Sequence, residues 1–166
     1  MELINLENVF STLEEYAREV RNKYQDNLIT NNRIASGNLL NSVEYQVVYN
    51  GVEYEVQLRL QDYWKYIEYG TRPHFPPMDK ILEWVMVKPV LPRPDANGRI
   101  PTPKQLAYLI ARKISRKGTE GSHDLEDAIT EINERYRDKL VYSLQKDMSV
   151  LMKVIVGEIQ GSMPGR

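Results

Sequence analysis

The chain contains no cysteine, and only two of its residues are histidines. Without cysteine there are no disulfide bonds, no thiolate metal ligands and no thiol nucleophiles. Neither His74 nor His123 has a second histidine or an aspartate-rich segment at the spacing that metal ligands adopt. We therefore expect neither a metal nor a cofactor.

Sequence motifs of catalysis and nucleotide binding are also missing. No GxSxG segment marks a nucleophilic serine, and neither GxGxxG nor a P-loop marks a phosphate site. Paired carboxylates such as Glu53 and Glu55 fall on positions predicted to face water. The sequence predicts a protein that is not an enzyme, with a hydrolase using the two histidines as the weakest alternative.

Long apolar runs are absent, and the first ten residues, MELINLENVF, have no basic leader or apolar stretch. We expect a soluble protein that is made inside the cell. Hydrophobic residues make up 42% and charged residues 27% of the 166 residues, as in an average globular protein. This length favours one domain over two, here residues 1–160, followed by a flexible tail at 161–166.

The formal net charge of −1 hides two regions of opposite sign. The first thirty residues are mainly acidic, whereas residues 104–121 are mainly basic. The basic cluster consists of Arg112, Lys113, Arg116 and Lys117. Cations at a helix C-terminus interact favourably with the helix dipole, and this interaction alone explains the cluster without a ligand. Two functional alternatives stay open, contact with DNA and contact with an acidic surface of a partner.

Apolar residues at three- and four-residue spacing predict two long amphipathic helices, over residues 3–29 and 125–155. The second would be about 45–50 Å long at 1.5 Å per residue, more than the width of a compact domain of this size. We expect part of it to pack along the first helix, to project, or to contact a neighbouring subunit. Between the helices, the segment NNRIASGNLLNS predicts a turn or a short helical turn.

The segment VEYQVVYNGVEYEVQLRL predicts a β-hairpin. Asn50-Gly51 favours a two-residue type I′ turn, which would place Tyr49 opposite Val52 and Val47 opposite Tyr54. The paired residues are all apolar, so one face of the hairpin should be buried. Because a lone hairpin is marginally stable in water, we expect helices to cover that face or strands from other subunits to extend the hairpin.

Three short helices are predicted in the sequence that follows the hairpin. One follows Asp62 as a cap and ends at Gly70, a C′ glycine. The next begins at Pro76 or Pro77, with Ile81, Trp84 and Val85 facing inward.

A proline-rich arm at residues 88–101 precedes the third short helix. Thr102, Pro103 and Gln105 predict a capping box at the start of that helix, which should stop at Gly118. The expected fold is therefore α+β, with a long N-terminal helix, an antiparallel hairpin or small sheet, short helices and a long C-terminal helix.

The most unusual segment is WKYIEYGTRPHFPP, residues 64–77. Its tyrosines are large and stiff, Arg72 is a bidentate donor, and its prolines leave little entropy to lose on docking. Although about half of its aromatics should fill the core, a protein interface is the better functional interpretation. This segment and the arm at residues 88–101 supply the predicted interface residues, which are Tyr66, Tyr69, Gly70, Thr71, Arg72, Pro73, His74, Phe75, Arg93 and Arg99.

The order of these segments resembles a known protein family. ASGNLLNS precedes the hairpin, then come YIEYGTRPHFPP, ILEWV, LIARKISRKGTEG and LEDAI. This order resembles the tail-completion or head–tail joining proteins of long-tailed bacteriophages, a lambdoid tail-component family. The matching residues are Ser36, Gly37, Leu39 and Ser42, then Tyr66, Glu68, Tyr69, Gly70 and Thr71, and finally Ile110, Ala111, Ile114, Lys117, Gly118 and Thr119.

The resemblance covers residues 1–140 and implies a structural, non-catalytic virion protein of α+β fold. It implies a homo-oligomeric ring, commonly a hexamer, at the neck between the capsid connector and the tail. The implied partners are further copies of the chain and the adjacent head-completion, connector, tail-terminator or tail-tube proteins, without a membrane. Assembly in the host cytoplasm and a final location in the virion are implied as well.

The sequence departs from the family pattern in two places, and both bear on which partner the chain binds and on the size of the ring. The arm at residues 88–101 is longer than the short link typical of the family, and the last helix runs further. Two alternatives remain, a tail-terminator ring capping the tail tube and a DNA-binding accessory module that uses the basic cluster. In the neck-ring interpretation, the basic cluster contacts DNA in the channel or an acidic partner.

Overall fold

A computed structural model describes residues 6–88, 91–94 and 96–161, with the side chains of 158–161 left out of the description. The fold is α+β, as the sequence predicts. Six helices and four short strands occur in the described residues. In chain order they are α1 Glu7–Thr30, α2 Asn38–Asn41, β1 Glu44–Tyr49, β2 Tyr54–Arg59, α3 Trp64–Glu68, β3 Gly70–Thr71, α4 Met78–Val87, α5 Pro103–Lys117, β4 Thr119–Glu120 and α6 Asp124–Gly161.

The chain divides into two compact units, each built from separated stretches of sequence. Unit 1 comprises Met1–Lys23, Glu44–Leu58 and Asp127–Arg166, and unit 2 comprises Tyr24–Val43 and Arg59–Glu126. Helices α1 and α6 contribute residues to both units. The single domain over residues 1–160 stays a prediction.

In unit 1, α1 and α6 pack antiparallel along an apolar seam. Ala17, Val20 and Ile132 are almost completely buried there, and the rings of Tyr16 and Tyr136 meet edge to face at 5.7 Å. Polar contacts continue the seam, with Thr12 Oγ1 and Ser143 Oγ 2.6 Å apart. Part of the long C-terminal helix therefore packs on the first helix, as predicted.

The seam ends where α1 begins, because Asp147 caps the N-terminus of α1. Its carboxylate accepts the main-chain N–H groups of Asn8 at 3.2 Å and Val9 at 2.9 Å. Burial opposes ionisation, but the hydrogen bonds from the Asn8 side chain and the two main-chain N–H groups hold the pKa of Asp147 below its ordinary value. A charged side chain of α6 thus satisfies amides that a helix leaves unpaired.

The predicted apolar stripe on α6 is correct in the first half of the helix and wrong in the second. Leu125, Ile132 and Tyr136 are buried, but further along the inner positions are held by Ser143 and Asp147. The helix is also longer than predicted and continues to Gly161. The apolar residues of the second half, Leu144, Met148 and Ile155, are exposed instead.

The hairpin β1-β2 forms as predicted, with a different turn. Asn50 donates its N–H to the carbonyl of Glu53, and its side-chain oxygen accepts the N–H groups of Val52 and Glu53. Gly51 has φ 94°, whereas Asn50 has no positive φ, so the type I′ turn is wrong. Tyr49 therefore stacks on Tyr54 rather than facing Val52. The register differs by two residues, which leaves the same side chains on the same face.

That apolar face of the hairpin is covered within unit 1. Val47 is buried, and Tyr45, Val56 and Leu58 are half-buried, while the alternate polar residues are exposed. The ring of Phe10 on α1 lies 6.2 Å from that of Tyr54. The guanidinium of Arg21, also on α1, lies 5.3 Å above the ring of Tyr45. Helix α1 thus provides the predicted cover.

Unit 2 buries Tyr24, Leu28, Leu39, Ala107 and Ala111. Helix α5 starts with the predicted capping box: Thr102 and Gln105 bond to each other's main-chain N–H groups, and Pro103 opens the helix. Helix α4 packs against α5, in which Ala107 and Ala111 are fully buried.

Three details of unit 2 differ from the sequence prediction. The helix α3 has no side-chain cap, so the predicted cap by Asp62 is wrong. Trp84 in α4 is 38% exposed rather than inward, because it faces open cavities, whereas Ile81 and Val85 are half-buried as predicted. In the arm, residues 91–94 and 96–101 contain no helix or strand. The predicted flexible tail lies outside the described residues apart from Gly161.

Candidate protein-interaction surface

The unusual segment begins with α3, whose end is set by Gly70. Tyr69 closes the helix with its N–H on the carbonyl of Lys65, and Gly70 then takes φ 72°, a left-handed value that favours glycine. This confirms the predicted C′ glycine. The chain leaves the helix at Gly70 and enters a loop that ends at Pro77.

Two glycine–threonine pairs that are far apart in sequence meet in space. Strand β3 pairs antiparallel with β4, so that Gly70 lies opposite Glu120 and Thr71 opposite Thr119. The two threonine hydroxyls are 3.0 Å apart. The segments EYGT and KGTEG, which carried the family resemblance, therefore form one small sheet. Gly70 and Thr71 have a folding role within the chain that their prediction as interface residues did not include.

Glu68 extends this sheet into a cap for α6. Its side chain is 1% exposed, and its two carboxylate oxygens accept the main-chain N–H groups of Leu125 at 3.0 Å and Glu126 at 2.9 Å. The main chain adds two bonds, from Ser122 to Ile67 and from His123 to Glu68. A buried glutamate in the resemblance segment thus fixes the start of the longest helix.

One cluster of possible metal ligands occurs at the same place. Oxygen or nitrogen atoms of Glu68, His123 and Glu126 lie within 4.8 Å of one another. Both oxygens of Glu68 are already engaged by main-chain N–H groups, and the positive end of the α6 dipole opposes a cation. The helix cap explains this cluster, and we assign no metal to it.

The aromatic side chains of the segment are mostly on the surface. Tyr66 is 64% exposed and Tyr69 63%, although Tyr69 also contacts the rings of Trp64 and His123. Phe75 is 55% exposed and reaches the ring of Tyr108 on α5 at 6.5 Å. Large aromatic groups held this far into water are typical of interaction surfaces.

The loop beside these rings carries the expected polar groups. Arg72, Pro73 and His74 are all exposed, and a ring nitrogen of His74 lies 2.9 Å from the carbonyl of Arg72. Among the described residues, no carboxylate forms an ion pair with Arg72. Its guanidinium is therefore available to a partner.

A groove of about 720 Å³ runs along this loop. Its lining combines apolar groups with the guanidinium-bearing loop and includes Tyr63, Tyr66, Ile67, Arg72, Ile81 and Ile114. Burial raises the pKa of the Tyr63 hydroxyl. The structure thus brings together Tyr66 and the residues Gly70 to His74 at one groove, which the sequence predicted as one contact surface. We call it the α3-loop groove.

The predicted arm residues lie at a second cavity. Arg93 and Arg99 line a cleft of about 810 Å³ together with Lys104 and Tyr108. Tyr108 also contacts Phe75, so the segment after α3 reaches this basic cleft through one pair of aromatic rings.

The basic cluster at the end of α5 is exposed at all four positions, Arg112, Lys113, Arg116 and Lys117. Lys113 and Lys117 line a further cavity of about 650 Å³, with Arg33 and Trp84. Within the described part of the chain, none of the four cations is paired with a carboxylate. The cluster is therefore a cationic surface at the end of α5. Helices α4 and α5 also contribute residues to the α3-loop groove.

Comparison with known proteins adds no identification: no protein-family model matches the chain, and no characterised protein or solved structure is significantly similar to it. None of the helices in the described residues is long and apolar enough to span a membrane.

The roles of Glu68 and Asp147 as caps of distant helices were missed by sequence reasoning. An acidic residue gives no signal that it will cap a helix 57 or 139 positions away.

Proposed function

We propose that this chain is a structural subunit of a bacteriophage virion. It assembles with copies of itself into a ring at the neck, where the ring completes the tail and joins it to the capsid connector. A hexamer is the ring size that the family resemblance favours. No catalytic step is part of this function.

The observation that carries the proposal is the pairing of β3 with β4. The segments that resemble the neck family, EYGT and KGTEG, form one sheet and, through Glu68, fix the start of α6. Short motifs that match by chance have no reason to meet in space. Their meeting supports the resemblance as one of fold.

The distribution of exposed groups supports an assembly role. Tyr66 and Tyr69 present large rings, and Arg72 presents a free guanidinium at the α3-loop groove. Within the described residues the hairpin β1-β2 is a sheet of two strands, to which a neighbouring subunit can add a strand. We assign the groove and the arm to adjacent neck proteins, and the hairpin edges and α6 to contacts between subunits.

Native mass spectrometry and negative-stain electron microscopy of the purified protein test this function. We expect a closed ring with one defined number of subunits. A tail-terminator ring would also be closed, so its distinction requires binding to purified tail tubes rather than to connectors. A protein that stays a single chain at all concentrations and is absent from particles would contradict the proposal.

A DNA-binding accessory module is the second candidate, and the exposed basic cluster favours it. Several phosphate contacts would make the affinity for DNA fall steeply with salt, roughly tenfold for each doubling of salt for about four contacts. We expect weak binding that is lost when Arg112 and Arg116 are both replaced by glutamate. A tight, salt-sensitive affinity in a protein that never forms rings would favour this candidate over the ring.

A further inference from the structure

The second half of α6 carries apolar side chains that the described part of the chain does not cover. In residues 148–157 only one side chain is charged, Lys153, and most of the others are apolar. Six of these apolar residues are between 41% and 58% exposed, namely Met148, Val150, Met152, Val154, Ile155 and Val156. A helix that is apolar on nearly every side is normally buried among other elements.

The cover supplied by α1 stops at Asp147. That carboxylate caps the first turn of α1, so α1 begins beside it, while α6 runs on to Gly161. At 1.5 Å per residue, the remaining helix extends about 20 Å further. Leu151 is half-buried, and every other side chain between 148 and 157 is exposed.

The spacing of the apolar residues identifies the kind of partner. Val141, Leu144, Met148, Leu151 and Ile155 follow one another at alternating intervals of three and four. This heptad pattern fits a parallel or antiparallel helix with a matching apolar seam. A charged or nucleic-acid partner would instead need cations along the face, and this face has none. We call these five residues the α6 seam.

The width of the apolar surface indicates more than one neighbouring helix. In a two-stranded coiled coil, the positions that flank the seam are commonly charged. Here the flanking positions include Met152 and Val154, which are 55% and 53% exposed. The seam also covers little more than two heptads, which is short for an isolated pair of helices. Both facts favour a helix that has a neighbour on each side.

We propose that the α6 seam packs against the same segment of adjacent copies of this chain, forming a bundle of parallel helices around the ring axis. Rotation about that axis leaves all copies of α6 pointing the same way, so each helix offers one side to each of two neighbours. This inference rests on the proposed ring and names the residues of α6 that join neighbouring copies.

Single-cysteine variants test the proposal directly, because the chain has no cysteine of its own. In a parallel bundle, equivalent seam residues of neighbours are close, so Met148→Cys and Ile155→Cys should form covalent dimers on mild oxidation. Ser149→Cys and Lys153→Cys, on the polar side of the same turns, are the matched controls. They should give at least tenfold less dimer.

A second pair of variants measures assembly in solution. Met148→Glu with Met152→Glu should convert the ring to single chains or small oligomers in native mass spectra. Ser149→Glu should leave the ring intact. Because all three side chains are exposed, circular dichroism should show unchanged helix content.

The outcomes separate this inference from the proposed function. If the wild-type chain forms rings and the seam variants neither cross-link nor dissociate, the inference is overturned and the ring proposal stands. If the seam cross-links and its charged variant dissociates while the protein is absent from virions, the inference stands and the neck function fails. A wild-type protein that is a single chain at all concentrations overturns both.

Discussion

Gly70 and Gly118 lie so close to each other's neighbouring main chain that neither position has room for a side chain. A Cβ on Gly70 would be 2.1 Å from the carbonyl oxygen of Thr119, and one on Gly118 would be 2.0 Å from that of Thr71. Both residues also have positive φ, 72° and 70°. The small sheet that carries the family resemblance therefore requires glycine for two independent reasons.

Gly70→Ala should destabilise the protein by at least about 2 kcal/mol, since the left-handed backbone and the overlap with Thr119 both oppose it. Gly51→Ala is the matched control, because Gly51 has φ 94° but no atom near its Cβ position. That variant should lose only about 1 kcal/mol. Chemical denaturation measures both, and equal losses would show that crowding at the sheet is unimportant.

Glu68→Ala should lower the free energy of unfolding by about 2–3 kcal/mol, because two N–H groups at the start of α6 lose their acceptor. Glu126→Ala removes a carboxylate from the same turn, but that side chain is exposed. We expect a change within about 0.5 kcal/mol for this control. A Glu68 variant as stable as the Glu126 variant would disprove the cap.

Asp147→Asn should destabilise the protein by about 1 kcal/mol at neutral pH, since it weakens the cap of α1. The folded pKa of Asp147 is lowered, so its contribution is complete above the unfolded value of about 3.9 and is lost as pH falls through the lower folded value. The stability difference between wild type and variant should therefore shrink in acid. A difference that is the same at pH 7 and at pH 2–3 would contradict the charged cap.

Thermal unfolding should be a single transition if residues 1–160 form one domain. Helices α1 and α6 contribute to both compact units, so neither unit can lose its helices without affecting the other. Calorimetric and van't Hoff enthalpies should agree. Two separated transitions would show that the units unfold independently and that the single-domain prediction is wrong.

The elements that the sequence predicted well are those specified by local patterns. The capping box at Thr102, the glycine ends of α3 and α5, and the alternating faces of the hairpin depend on residues close in sequence. The hairpin turn was misjudged because the Asn50 side chain accepts two main-chain N–H groups, and this holds Asn50 outside the turn centre.

Features that depend on distant residues were not predictable in this way. Ser143 and Asp147 occupy inner positions of α6 because they bond to Thr12 and to the start of α1, and periodicity alone places apolar residues there. For the same reason, the sequence placed Leu144 and Met148 inside. At the α3-loop groove, it predicted which residues gather but not that Gly70 and Thr71 are held by β4.

The most direct measurement for the central claim is cryo-electron microscopy of phage particles that carry a tagged copy of this chain. We expect the tag as a ring of density between the connector and the first tail-tube layer, with one tag per subunit. Density anywhere else on the particle, or particles that assemble complete tails without this chain, would contradict a structural role at the neck.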